Sequence, residues 1–348
     1  MHISEIWGMV WPVLVAVISF LFLILIHELG HFIAAKAVGV RVNEFAIGFG
    51  PKILKFQGKS TLYSVRLLPL GGFCAMEGED EDSDDPNAFN HKKPWQRFII
   101  TAAGATVNLL FGFVLILLLL APADRYAGTT VADFKEGAIS CNYGLQAGDT
   151  ILSVNGRSIA TTNDLSYTFT NIDADGKIDM TVRRDGEKVK LKDVRFQTQV
   201  VDDMTMITVD FYVQPIEKTV FSYITQALKT TFSYAKLVWW SLVDLVTGKY
   251  GISAVSGPVG ITVVLADTVK RSFRDLAGLL ALLTVNLGLF NLFPLPALDG
   301  GRLLFLLIEM LRRKPVPQKY EGLVHGIGLA ILLAISGLIL IKDIISLF

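Results

Sequence analysis

The chain has 348 residues, with 32 Lys and Arg against 32 Asp and Glu, so its formal net charge is zero. No excess of basic side chains exists to neutralise phosphates, which excludes nucleic acid as a bulk electrostatic partner. Charged residues make up 18% of the chain, below the roughly 25% of soluble domains, and mean hydropathy is +0.49, a composition suited to lipid.

The apolar residues pool into four stretches, 7–37, 98–121, 276–297 and 323–341. Each is long enough to span a hydrocarbon core, which takes about 20 residues of helix. Residues 1–26 contain no Lys or Arg, and no small-residue cleavage site follows. The first stretch therefore reads as a retained span and not as a secretory signal. Arg41, Lys52, Lys55, Lys59, Arg66, Lys92 and Lys93 follow the first span, and Arg302, Arg312, Arg313, Lys314 and Lys319 separate the third from the fourth. Basic residues in short connections mark the cytoplasmic side, which puts the N-terminus, residues 122–275 and the C-terminus outside. Cys74 and Cys141 then face opposite compartments and are expected as free thiols.

Between the first two spans, residues 41–75 are strand-prone and punctuated by Gly, predicting one or two hairpins near the inner membrane face. The acidic run at 77–85 lacks the spaced ligands and turn Gly of a calcium loop and reads as solvated. Residues 122–214 read as a compact mixed α/β domain, with a strand at 150–154. Ile178, Met180 and Val182 alternate into an Asp185-Gly186 turn and return through Val189 and Leu191. Helical periodicity over 217–247 runs through Phe221, Ile224, Leu228, Phe232, Ala235 and Leu242. Lys229 and Lys236 oppose a span, so an amphipathic helix on the outer face is expected.

The chemistry concentrates in His27-Glu28-Leu29-Gly30-His31. On a helix, side chains at i and i+4 share one face, so both imidazoles can bind one metal ion. Glu28 sits beside them as a base for the attacking water. The motif begins where the apolar block ends, near the cytoplasmic side of the span, and ionisable groups at that depth point to function. A hydrolytic zinc site usually takes a third protein ligand. The third span runs inward and ends Asn291-Leu292-Phe293-Pro294-Leu295-Pro296-Ala297-Leu298-Asp299-Gly300-Gly301. Asp299 is the acid at matching depth, with Glu309 and His325 as rivals. The two prolines interrupt the helix there, and such irregular backbone is tolerated only beside protein or a water-filled cavity.

These motifs resemble the site-2 protease family, and within it the bacterial regulator-of-sigma-E type. The likeness also covers Ile47-Gly48-Phe49-Gly50-Pro51, Pro69-Leu70-Gly71-Gly72-Phe73, Ala88-Phe89-Asn90, Trp95-Gln96-Arg97, the stretch from Gly104 to Asn108, and Ser256-Gly257-Pro258-Val259-Gly260-Ile261. Ala105 departs from it, standing where the family usually has Pro. Gly144-Leu145-Gln146-Ala147-Gly148-Asp149, followed by Ile151 and Val154-Asn155-Gly156, looks like the bacterial PDZ pattern, whose backbone N–H groups take a peptide carboxylate or strand. The resemblance implies that His27, His31 and Asp299 bind Zn2+, that Glu28 is the catalytic base, and that Asn291 hydrogen-bonds an unwound substrate. A second departure is that only one PDZ-like domain fits in 122–214, where some relatives have two.

The expected fold is a polytopic α-helical membrane protein with four transmembrane helices, a membrane-reentrant β-hairpin region and an extracytoplasmic α/β PDZ-like domain. Its expected segments are span one at 1–38, the reentrant region and acidic loop at 39–95, span two at 96–121 and the PDZ-like domain at 122–214. An amphipathic helix and linker follow at 215–275, then span three at 276–301, a cytoplasmic loop at 302–322 and span four at 323–348. The expected activity is zinc-dependent cleavage of single-pass membrane proteins, by resemblance anti-sigma factors and remnant signal peptides, in a bacterial inner membrane. An inert membrane scaffold predicts loss of Glu28 or a ligand, and none is lost. A cation transporter predicts acids and His along several spans, whereas spans two and four supply only His325.

Overall fold

The computed structural model describes residues 3–79, 81–170, 172–173, 175–201, 204–251 and 255–345. Asp80 of the acidic run, residues 171, 174 and 202–203 of the expected PDZ-like domain, 252–254 of the linker and 346–348 of the last span lie outside the described residues. The chain divides into two compact units, one of residues 1–115 and 252–348, the other of residues 116–251. The helices are α1 (Ile3–Val38), α2 (Pro94–Leu120), α3 (Thr162–Thr168), α4 (Val220–Val246), α5 (Pro258–Arg271), α6 (Phe273–Leu292), α7 (Asp299–Arg312) and α8 (Gln318–Ile345). Among the described residues, four helical segments are long and apolar enough to cross a membrane: Val10–Val38, Pro94–Leu120, Phe273–Leu292 and Lys319–Ile345.

Two boundaries in the first unit differ from the sequence expectation. The third span stops at Leu292, not at 297 or 301. Pro294 and Pro296 lack the N–H groups that would extend the ladder. The segment expected as a loop at 302–322 is helical through Arg312. Leu303 and Leu306 recur on one buried face and hold the helix in place. A further helix, α5, occupies the expected linker. Its N-terminus is closed by Asp343 of α8, whose carboxylate accepts from Gly257 N at 3.0 Å and Gly260 N at 2.8 Å, satisfying N–H groups that the helix cannot.

Strands β1 (Val42–Gln57) and β2 (Leu62–Met76) form a single hairpin folded back on itself. Phe45 lies opposite both Cys74 and Tyr63, and Ala46 opposite both Phe73 and Ser64. The result is a sheet four segments wide, in the order 72–76, 42–47, 62–65 and 52–57. The reversal needs Gly48, at φ +83°, where a Cβ would lie 2.5 Å from Leu68 O. Ile53, Leu54 and Phe56 on the outer segment are all exposed.

The second unit holds β3 (Arg125–Phe134), β4 (Thr150–Val154), β5 (Arg157–Ser158), β6 (Lys177–Arg184), β7 (Glu187–Arg195), β8 (Thr198–Val201), β9 (Met204–Ile207) and β10 (Phe211–Glu217). The sheet order is β10-β3-β4-β6-β7, with β5 on β4, and β8 pairs with β9 apart from it. Val131, Ile151, Val154, Ile178, Met180 and Val182 alternate inward from the sheet and close the core with Leu165 and Phe169 of the α3 segment. The unit extends to 251 because α4 docks on it through polar groups. Asp164 accepts from Ser233 Oγ at 2.6 Å and Lys236 Nζ at 2.8 Å. Asp244 takes both guanidinium nitrogens of Arg157 and, at 2.8 Å, the Tyr167 hydroxyl. The polar stripe of α4 is thus buried, while Phe221 is 79%, Phe232 64% and Val246 85% exposed.

Asp244→Ala is expected to destabilise the second unit by about 2–3 kcal/mol, because it strands a half-buried guanidinium. Burial alone would raise the Asp244 carboxyl, but the Arg157 and Tyr167 hydrogen bonds outweigh it and hold the group below its usual range. A depressed carboxyl stabilises fully above its unfolded value of about 3.9 and loses that contribution as pH falls through the folded value. Urea unfolding of the full chain in detergent should therefore show the wild-type advantage at pH 7 and its loss at strongly acidic pH.

Candidate metal centre

The side chains of His27 and His31 leave α1 on one face and meet α2 where it carries no side chain. A Cβ on Gly30 would lie 2.5 Å from Ala103 O and 2.8 Å from Gly104 Cα, so the two backbones touch. A Cβ on Gly104 would fall on His31 Nε2 and lie 2.8 Å from His27 Cε1. The space beside the imidazoles exists because residue 104 is Gly.

Each imidazole is oriented by α2. His31 Nδ1 lies 2.9 Å from Ile100 O, so that nitrogen carries the proton and Nε2 keeps its lone pair. His27 Nδ1 lies 3.2 Å from the Asn108 amide nitrogen, while Asn108 Oδ1 has no hydrogen-bond partner. Turning that amide over satisfies both groups, with His27 Nδ1–H donating to Oδ1. Both Nε2 atoms are then bare acceptors.

Asp299 opens α7 and brings a third acceptor to them. Its Oδ2 is 3.1 Å from His27 Nε2 and 3.2 Å from His31 Nε2, and the two Nε2 atoms are 3.2 Å apart. Oδ2 is buried and makes no hydrogen bond. Three lone-pair atoms held in a triangle repel one another unless a cation sits against them. Ligands about 2.0–2.1 Å from a tetrahedral zinc ion are about 3.3–3.4 Å apart, so the triangle approximates one face of such a shell. Among the described residues these three form the group suited to hold a metal ion.

Glu28 stands beside the triangle, its Cγ 3.7 Å from the position a Cβ would take on Gly72. The side chain of Glu28 thus packs against Gly72 of segment 72–76. Asn291 is in the last turn of α6, where its amide donates to Leu287 O at 3.0 Å. The rival ligands are engaged elsewhere: Glu309 pairs with Arg97, and His325 Nδ1 accepts the Ala297 N–H at 2.9 Å. Sequence reasoning assigned no role to Gly104 or Asn108. A lone amide in an apolar span was the available signal for Asn108.

Residues 15–335 match the family described as Peptidase family M50. The chain belongs to that family, the site-2 proteases. The protease is 36% identical over 334 residues to a Clostridium acetobutylicum protein provisionally named a zinc metalloprotease, covering 96% of this chain and 97% of that one. It is 30% identical over 409 residues to the zinc metalloprotease RasP of Geobacillus kaustophilus, covering 94% and 96%. It is 29% identical over 420 residues to the regulator of sigma-W protease RasP of Bacillus subtilis, covering 97% and 99%. The chain is accordingly a zinc metalloendopeptidase and a multi-pass membrane protein.

Proposed function

We propose that His27, His31 and Asp299 hold the zinc ion and that Glu28 is the proton carrier for hydrolysis of peptide bonds within or near the transmembrane segment of a single-pass protein. The observation that carries this is the triangle of bare acceptors at 3.1–3.2 Å with Glu28 next to it. Zinc bound there supplies Lewis acidity toward the attacking water and the scissile carbonyl. Glu28 accepts the proton as the water oxygen bonds to the carbonyl carbon. It then delivers that proton to the amide nitrogen as the C–N bond breaks.

A transmembrane helix hides its peptide bonds, so the substrate must unwind before it can react. Segment 72–76 offers an unpaired strand edge beside Glu28, suited to hold an extended peptide by main-chain hydrogen bonds. The hairpin that carries it, with exposed Ile53, Leu54 and Phe56, is the membrane-reentrant region. Asn291, in the last turn of α6, holds the substrate backbone from the other side. Residues 122–214 lie outside the membrane as a PDZ-like filter, and α4 rests its apolar face on the outer lipid surface. This orientation follows the positions of Arg and Lys and places the centre near the cytoplasmic side of a bacterial inner membrane. Anti-sigma factors and remnant signal peptides are the substrate class; the Bacillus subtilis relative is named a regulator of sigma-W protease.

The test is coexpression with a tagged single-pass substrate, reading product and the zinc content of the purified proteins. Wild type should cleave, and Asp299→Ala should lose both zinc and product. Equal product from the two would overturn the assignment.

A further inference from the structure

The triangle closes only if Asp299 is carried to the right place, and the chain that carries it is strained. Between α6 and α7, residues 293–298 make a tight turn in which Ala297 sits at φ +69°. A residue with a Cβ in the left-handed region costs of order 1 kcal/mol or more and persists only where its surroundings over-determine it. Ala297 is two residues before Asp299, so any relaxation of its backbone would swing the carboxylate away from α1.

What over-determines the turn comes from α8. His325 Nδ1 accepts the Ala297 N–H at 2.9 Å. The ring is boxed on two sides, lying against Phe305 of α7 at 5.8 Å between centroids and 3.1 Å from the position a Cβ would take on Gly301. One turn further along α8, a Cβ on Gly328 would overlap Pro296. The helix is therefore seated directly on the turn, and the polar group that meets the Ala297 N–H is the imidazole nitrogen. That polarity matters, because the N–H of irregular backbone at the end of a membrane span needs an acceptor that lipid cannot supply.

We infer that His325 is a positioning residue for the zinc site: by accepting the Ala297 N–H it holds the left-handed turn that aims Asp299 at His27 and His31. It touches neither metal nor substrate and acts through the backbone. The inference rests on the reading of His27, His31 and Asp299 as the zinc ligands. Its requirement is an acceptor at the δ position of residue 325, which distinguishes it from a packing role. Asn places an oxygen on Cγ where His has Nδ1 and can accept the same hydrogen. Leu places methyl groups there and cannot.

The experiment compares wild type, His325→Leu, His325→Asn and Asp299→Ala as full chains in detergent. It measures zinc transfer to a competing chelator and, in parallel, thermal unfolding. Loss of an orienting partner typically weakens metal binding by about 10–100-fold, and that is the expected result for Leu, with Asn within a few-fold of wild type. Leu and wild type binding zinc equally, with Asp299→Ala weakened, would overturn the role of His325 and leave the ligand assignment standing. Equal weakening in Leu and Asn would also overturn it, since ring packing and not the acceptor would then be responsible. Undiminished zinc binding by Asp299→Ala would instead remove the reading on which the inference rests. If Leu prevents folding, His325→Ala carries the same comparison with Asn.

Discussion

Glu28→Gln should retain zinc and lose peptide hydrolysis by about 10²–10⁴-fold, the range for removal of a positioned general base. Gln keeps the size of the side chain and its place beside segment 72–76, where the Cγ is 3.7 Å from the Cβ position of Gly72. It changes only the capacity to take a proton from water and return it to the leaving nitrogen. None of the three acceptor atoms belongs to residue 28, so the metal content should match wild type. The check is product formation from a single-pass substrate beside zinc per mole of purified protein. A Glu28→Gln protein that cleaves at the wild-type rate would remove residue 28 from the chemistry. One that has lost its zinc would show a structural role instead.

The second large effect is expected from a single methyl group. Gly104→Ala places a Cβ on His31 Nε2 and 2.8 Å from His27 Cε1. Backbone lies on the other side, because Gly30 already approaches Ala103 O and Gly104 Cα too closely to admit a side chain. The rings must therefore move or α1 and α2 must separate. Overpacking of this kind costs about 1–3 kcal/mol, and displacement of either Nε2 breaks the triangle. Zinc affinity should fall by at least about 100-fold, more than the loss of one orienting hydrogen bond produces. Gly278→Ala is the matching control. A Cβ there meets nothing within 4 Å, and in a helix Ala is favoured over Gly by about 1 kcal/mol. That variant should bind zinc normally and unfold at the same temperature or higher. Zinc analysis and thermal unfolding of both variants in detergent check the contrast, and equal zinc in the two would mean that Gly104 does not shape the site.

These effects lie at different distances from what can be read along the chain. The pairing of His27 with His31 is local, since a helix repeats its face at i+4 whatever surrounds it. Asp299 was legible by depth: a span of known rise, entered from a known side, brings its far end level with the end of the first. The prolines at 294 and 296 announced an interruption of α6, though not how early it begins.

The sequence by itself determined that this chain crosses a membrane, that two imidazoles and a neighbouring carboxylate share one helix face, and which acid lies level with them. Those properties follow from side-chain period and hydropathy, which are set by residues close together in the chain. Only the tertiary structure decided that Ile100 O and Asn108 orient the imidazoles across separations of 69 and 81 residues. It also decided that Gly104 makes their space, that 299–312 is a helix and that α4 buries its polar face. These depend on how closely two backbones approach and on which polar group finds a partner. A lone Gly or Asn carries no periodic trace of a neighbour so far along the chain, and a stripe such as Ser233 and Asp244 reads as solvent-facing until Asp164 and Arg157 are brought against it.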